Sequence, residues 1–204
     1  MALITAGNSG IERAVAVLYA REGEDVAMVY SREARVDTEE TRDAVERERR
    51  RSLLLPGDVT KSAFCEKAGE RTINEFGQLD VLVNNAAFQQ HQSSILDVTD
   101  EQFEKTFRTN IFGYFYMARA TVPRMQPGSA IVNTGSITGL QGSKELLDYA
   151  ATRASCAGLR VLRLERGLQI HRGRGNDVYR RRDDGGMIIA EKSPPEDFVR
   201  FVTS

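Results

Sequence analysis

The stretch that most constrains this chain lies at its start, Leu3-Ile4-Thr5-Ala6-Gly7-Asn8-Ser9-Gly10-Ile11. An apolar segment runs directly into a cluster of small and polar residues. Ile11, Ala14, Val15, Leu18 and Tyr19 then recur at helical spacing. The pattern reads as strand, tight turn, helix. A helix that begins straight after such a turn leaves its first amide N–H groups unpaired and points the positive end of its dipole at the turn. That is a natural seat for a pyrophosphate. Glycine turns before helices are common, and the context is what sharpens the reading. Val26-Ala27-Met28-Val29-Tyr30 follows as a second apolar strand, so a β-turn-α-β unit closes within about 30 residues, as in dinucleotide-binding units.

The rest of the chain continues the alternation. A charge-rich helix is expected over roughly 37 to 50, with its Glu/Arg pairs on a solvated face, and a short strand at Leu53–Leu55. Thr60 is expected to cap a helix reaching about Phe76, with Phe64, Ala68 and Ile73 inward and Gly77 as its stop. Leu79–Asn84 reads as a strand buried on both faces, and Phe88–Ser94 as a polar loop. Thr99 and Gln102 open a helix with capping residues, and a long helix passes through Asn110 to about Met125. Ser129–Thr134 is a further strand, Gly135–Ser143 a loop, and a helix starts near Leu147 carrying Tyr149, Arg153 and Cys156. Strands alternating with helices of this length predict a parallel sheet with right-handed crossovers. The expected class is a three-layer α/β/α, Rossmann-like doubly wound sheet over residues 1–170, incomplete at its C-terminal edge, with an atypical Arg-rich tail over 171–204.

Composition narrows the partners. A net charge of −1 on 204 residues gives no general reason to expect nucleic acid or an anionic membrane. No apolar run is long enough to cross a bilayer, no signal-like leader is present, and two cysteines, Cys65 and Cys156, do not make a disulfide framework, so the expected setting is reduced and cytoplasmic. Met1–Ile4 lies almost inside the first strand, which leaves the expectation of missing upstream residues. His91 stands alone, with no second ligand at metal spacing, and no metal site is expected.

Five motifs in order resemble those of the short-chain dehydrogenase/reductase family. They are Thr5 to Glu12, Asp58-Val59, Asn84-Asn85-Ala86-Ala87, Asn110 within Arg108-Thr109-Asn110-Ile111, and Ser136 followed by Tyr149-Ala150-Ala151-Thr152-Arg153. The wording around Leu147-Asp148-Tyr149 is similar to the subgroup related to glucose and ribitol dehydrogenases. The resemblance implies hydride transfer between NAD or NADP and a small alcohol or carbonyl substrate. It assigns Tyr149 as general acid or base, activated by the cation at 153, Ser136 as the hydrogen bond to the substrate oxygen, and Asn110 as the holder of a proton-relay water. It assigns cofactor contacts to Thr5, Gly7, Asn8, Ser9, Gly10, Ile11, Tyr30, Arg32, Asp58, Val59, Asn84, Ala86, Tyr149 and Arg153. Arg32 suits a 2′-phosphate and tilts the choice toward NADP, with Glu33 beside it pulling the other way. A homodimer through two long helices, around Asn110–Met125 and Tyr149–Leu164, follows from the same analogy.

Three departures bear on activity. Ala6 and Glu12 replace the turn's opening and closing glycines, so a Cβ at Ala6 is costly if the backbone there needs positive φ, and a carboxylate stands near the pyrophosphate seat. Arg153 replaces the usual lysine, and its planar head need not reach where an ammonium reaches. Beyond Gly158 the expected helix is shortened, Arg166–Ile170 resembles only the entry of a sixth strand, and an Arg-rich run follows through Arg182. Two alternatives therefore stand beside the oxidoreductase: an inactive nucleotide-binding or dimerising relic, and, more remotely, nucleic-acid binding through the tail.

Overall fold

The computed structural model describes residues 1–6, 10–126 and 128–156 in full, and the backbone of short strands at 176–178, 180–181 and 187–188. Five strands, β1 (Ala2–Thr5), β2 (Val26–Tyr30), β3 (Ser52–Pro56), β4 (Val81–Asn84) and β5 (Ala130–Thr134), form a parallel sheet in the order β3-β2-β1-β4-β5. The chain winds outward from β1 through β3 and then returns to the other side of β1 as β4. The order therefore reverses between β1 and β4, and a crevice opens beyond their C-terminal ends.

Alternate strand residues feed two apolar layers. Leu3, Val29, Leu55, Leu82 and Ile131 pack with Cys65 and Ala68 of α3 (Ser62–Phe76) and with Met117 and Ala120 of α5 (Gly113–Thr121). On the other face Ile4, Met28 and Val83 meet Ala16 and Ala20 of α1 (Ile11–Arg21) and Val45 of α2 (Arg35–Arg47). Both faces are thus covered, as the near-continuous apolar strands require. At the edge, β6 (Asn176–Val178) pairs antiparallel with β5, and β7 (Arg180–Arg181) pairs antiparallel with β8 (Met187–Ile188) in a separate ribbon. The expected strand entry at 166–170 and the stretch to Leu164 lie outside the described residues.

Local chemistry explains most boundaries. Gly77 ends α3 with φ 82°, where a Cβ would be strained. Thr60 does not cap that helix: its amide and hydroxyl both bind the Asp58 carboxylate, at 2.8 and 2.7 Å, and the helix starts after Lys61 without a side-chain cap. Thr99 does cap α4 (Asp100–Phe107), accepting from the Gln102 amide at 3.2 Å. The stretch read as a loop at 135–143 contains a single helical turn, α6 (Thr138–Gln141), because Ser136 accepts from the Thr138 amide and starts it. Gly139 there lies directly on α7 (Leu147–Cys156): an added Cβ would sit 2.6 Å from the Arg153 carbonyl carbon and 2.8 Å from the Ala154 amide nitrogen.

Between α4 and α5 the helix widens into a π turn over Arg108–Phe112. Asn110 sits in that turn, fully buried. Its amide group donates to the Phe88 carbonyl and to Thr152 Oγ1, both at 3.0 Å, and its oxygen accepts from the Phe88 amide at 2.7 Å. One side chain therefore fixes the loop after β4 and the middle of α7 to the long helix.

Ala6 has φ 64°, a left-handed conformation in which its Cβ is strained, while its amide is held by the Val29 carbonyl at 2.8 Å. Ala6→Gly is expected to stabilise the fold by up to about 1 kcal/mol, read as a higher urea midpoint at constant slope. Asn110→Ala should cost about 2–4 kcal/mol, because the Phe88 amide and carbonyl lose their buried partner. The same urea titration checks it.

Candidate active site

The C-terminal ends of the strands carry most of the residues singled out by sequence. Thr5 is buried, and its hydroxyl accepts from the amides of Asn85 and Ala86 at 2.9 and 3.0 Å and donates to the Val83 carbonyl at 3.4 Å. It thus extends the β1–β4 junction beyond the strand ladder. Asn84 donates to Asn133 Oδ1 at 2.9 Å across β4 and β5, and its own buried oxygen has no partner among the described residues. Tyr30, at the end of β2, is buried, with Arg32 exposed in the turn that follows. After β3, Asp58 is exposed and Val59 is buried against Gly113. Ile11 opens α1 and is 53% exposed. Gly7, Asn8 and Ser9 lie outside the described residues.

Gly10 precedes α1 with φ 64° and has no side chain with which to cap it. Glu12 occupies part of this ground. Its carboxylate folds back onto its own backbone amide and accepts from Asn85 Nδ2 at 2.5 Å, bridging α1 to the end of β4. Burial pushes this carboxyl above the ordinary range, against the pull of both donors.

The second group gathers on α7. Arg153 is 5% exposed. One guanidinium nitrogen donates to the Thr134 carbonyl at 2.7 Å and to Tyr114 Oη at 2.9 Å, while Nε is buried without a partner among the described residues. The guanidinium carbon lies 4.8 Å from the Tyr149 ring centroid, with Tyr149 half-buried one turn earlier on the helix. Burial works against the Arg153 charge, but the phenols of Tyr114 and Tyr149 outweigh it and raise its pKa. Burial also raises the Tyr114 phenol, against the opposing pull of Arg153. The pair is therefore a neutral phenol beside a fixed cation. Ser136, just past β5, accepts from the amide and hydroxyl of Thr138 at 3.3 and 2.9 Å, an arrangement that directs its own proton elsewhere.

Tyr114 and Asp148 escape a motif reading. Asp148 is fully buried and accepts from Thr106 Oγ1 at 2.5 Å, Gln102 Nε2 at 3.2 Å and the Tyr149 amide at 2.9 Å. It ties the start of α7 to α4. Tyr114 stands four residues after Asn110, at the start of α5, and is buried. Its partnership with Arg153 depends on a contact between distant segments, which spacing does not reveal. Among the described residues no group of three metal-ligating side chains is found, and no helix is long and apolar enough to cross a membrane.

Comparison with known proteins fits this geometry. The family model for short chain dehydrogenases matches residues 1–168. The uncharacterized oxidoreductase YhdF of Bacillus subtilis is 50% identical over 155 residues, 76% of this chain and 53% of that protein. Glucose and ribitol dehydrogenase of Daucus carota is 37% identical over 180 residues, 84% of this chain and 62% of that protein. A short chain dehydrogenase from Burkholderia cenocepacia, solved in complex with NADP, superposes with a TM-score of 0.74 at 29% identity, over 78% of this chain and 64% of that one. The chain thus spans little more than half the length of these curated relatives. With a reversing parallel sheet, a glycine turn before α1 and a tyrosine four residues ahead of a buried cation, it belongs to the short-chain dehydrogenase/reductase family.

Proposed function

We propose that this chain is the cofactor-binding part of an NAD(P)-dependent oxidoreductase acting on a small alcohol or carbonyl. The observation that carries the reading is the Arg153 cation 4.8 Å from the ring of Tyr149 at the edge of the crevice. The described residues fit a dinucleotide on two counts. Gly10 gives α1 no side-chain cap, and Ala6 and Gly10 both have positive φ. The Glu12 carboxylate opposes it, because two anions would share one helix terminus.

When bound, the nicotinamide would give or take the hydride. The chain's own residues handle the proton and the orientation. Tyr149 would exchange a proton with the substrate oxygen, Ser136 would donate a hydrogen bond to that oxygen, and Asn110 would order the proton path behind Tyr149. Thr5, Gly7, Asn8, Ser9, Gly10 and Ile11 would hold the pyrophosphate end. Tyr30, Arg32, Asp58 and Val59 would hold the adenosine end, and Asn84, Ala86, Tyr149 and Arg153 would line the nicotinamide end. Exposed Arg32 and the NADP bound to the Burkholderia relative favour NADP over NAD. Phe103 and Phe112 on the long helix and Leu147 on α7 are 40%, 45% and 40% exposed, which supports a homodimer through these helices. Glu12 is the observation behind the second reading, a relic that has lost its cofactor.

Fluorescence titration with NADPH and NADH tests the proposal. Saturation with NADPH, at lower concentration than with NADH, is expected. No saturation with either at millimolar concentration would leave the relic. Because burial raises the Glu12 pKa, its charge is lost at higher pH than that of an ordinary glutamate. NADPH affinity should therefore rise on acidification from neutral pH, and Glu12→Gln should bind more tightly at neutral pH with a flatter profile.

A further inference from the structure

The cation in this site is anchored by groups other than Tyr149. Arg153 places one guanidinium nitrogen between two oxygens, the Thr134 carbonyl at 2.7 Å and the Tyr114 phenol at 2.9 Å. Tyr114 is 2% exposed, and its own hydroxyl reaches the same Thr134 carbonyl at 3.4 Å. The three groups come from α5, β5 and α7 and form a closed triangle beneath Tyr149. The guanidinium carbon lies 5.9 Å from the Tyr114 ring centroid and 4.8 Å from that of Tyr149. The Arg153 backbone cannot retreat toward α6, because Gly139 is packed on it.

We propose that Tyr114 is a positioning residue, whose hydroxyl holds the Arg153 guanidinium beneath Tyr149 and keeps it from swinging out along the sheet edge. This rests on the reading of Tyr149 as the proton-carrying group. A guanidinium has several donors and a long stem, so without a second fixed acceptor its position is set by solvent. The charge-assisted bond that Arg153 donates to a neutral, buried phenol removes that freedom. A lysine at 153 would have a shorter reach and a single ammonium, so the Tyr114 hydroxyl matters to this chain because the residue at 153 is an arginine.

The test uses nitration of Tyr149 by tetranitromethane, followed by peptide mass spectrometry. The reagent attacks the phenolate, so its rate reports the cation beside Tyr149 and needs neither cofactor nor turnover. Tyr114→Phe is expected to slow Tyr149 nitration about 3- to 10-fold, and Arg153→Met to slow it by a similar factor. In the Arg153→Lys background, Tyr114→Phe should make no further difference. An unchanged or faster rate in Tyr114→Phe overturns the proposal. So does an equal loss in the Arg153→Lys background, which would show a packing role only. Should the Tyr114→Phe chain fail to fold, Arg153→Met decides: an unchanged rate there removes the cation from the site and the proposal with it. NADPH titration of the unmodified chain runs in parallel, so failure of cofactor binding is seen separately from failure of the anchor.

Discussion

A guanidinium buried to 5% exposure needs oxygen partners for its charge, and the two that one nitrogen of Arg153 finds tie together distant parts of this molecule. Arg153 meets that need with a carbonyl at the end of β5 and a phenol on α5. The cost of burying the charge is thereby offset, and three elements far apart in sequence are brought into one arrangement. Asn110 and Asp148 do the same with neutral and acidic side chains: Asn110 locks the loop after β4 to α7, and Asp148 locks the start of α7 to α4. Tyr149 is thus held on a helix whose beginning, middle and end are each fixed by a buried polar contact. The rigidity needed to aim a phenol comes from these contacts more than from the length of α7.

The fold was largely legible in the sequence, since its signals are local. Apolar strands without alternation, the Gly77 stop and the Thr99 cap each follow from a few neighbouring residues. Asp58 shows where that reasoning fails. It offers two acceptors close to Thr60, and the local loop captured both the amide and the hydroxyl that a helix cap would have used. The single turn of α6 was hidden by Gly139, which reads as loop until α7 is packed against it. The site was legible as a set of residue types in the right order. It was not legible as geometry, because whether Arg153 points outward or inward depends on Tyr114, 39 positions away.

The two replaced glycines in the first turn behave differently. Ala6 keeps the left-handed backbone that a glycine would adopt, so the path of the chain survives at the expense of local strain. Glu12 adds a new bond to Asn85 and places a carboxylate against the helix start. The first change is a matter of stability, and the second concerns which ligand the helix terminus can accept.

The contact of Gly139 with the backbone of α7 also limits how the substrate side can vary. Because no side chain fits between the two turns, α6 and α7 shift as a unit, and any enlargement at 139 is transmitted to Tyr149. Ile137, two positions before Gly139, and Leu140, next to it, are 60% and 73% exposed. Side chains at these two exposed positions can therefore change without touching α7, while position 139 has to stay bare.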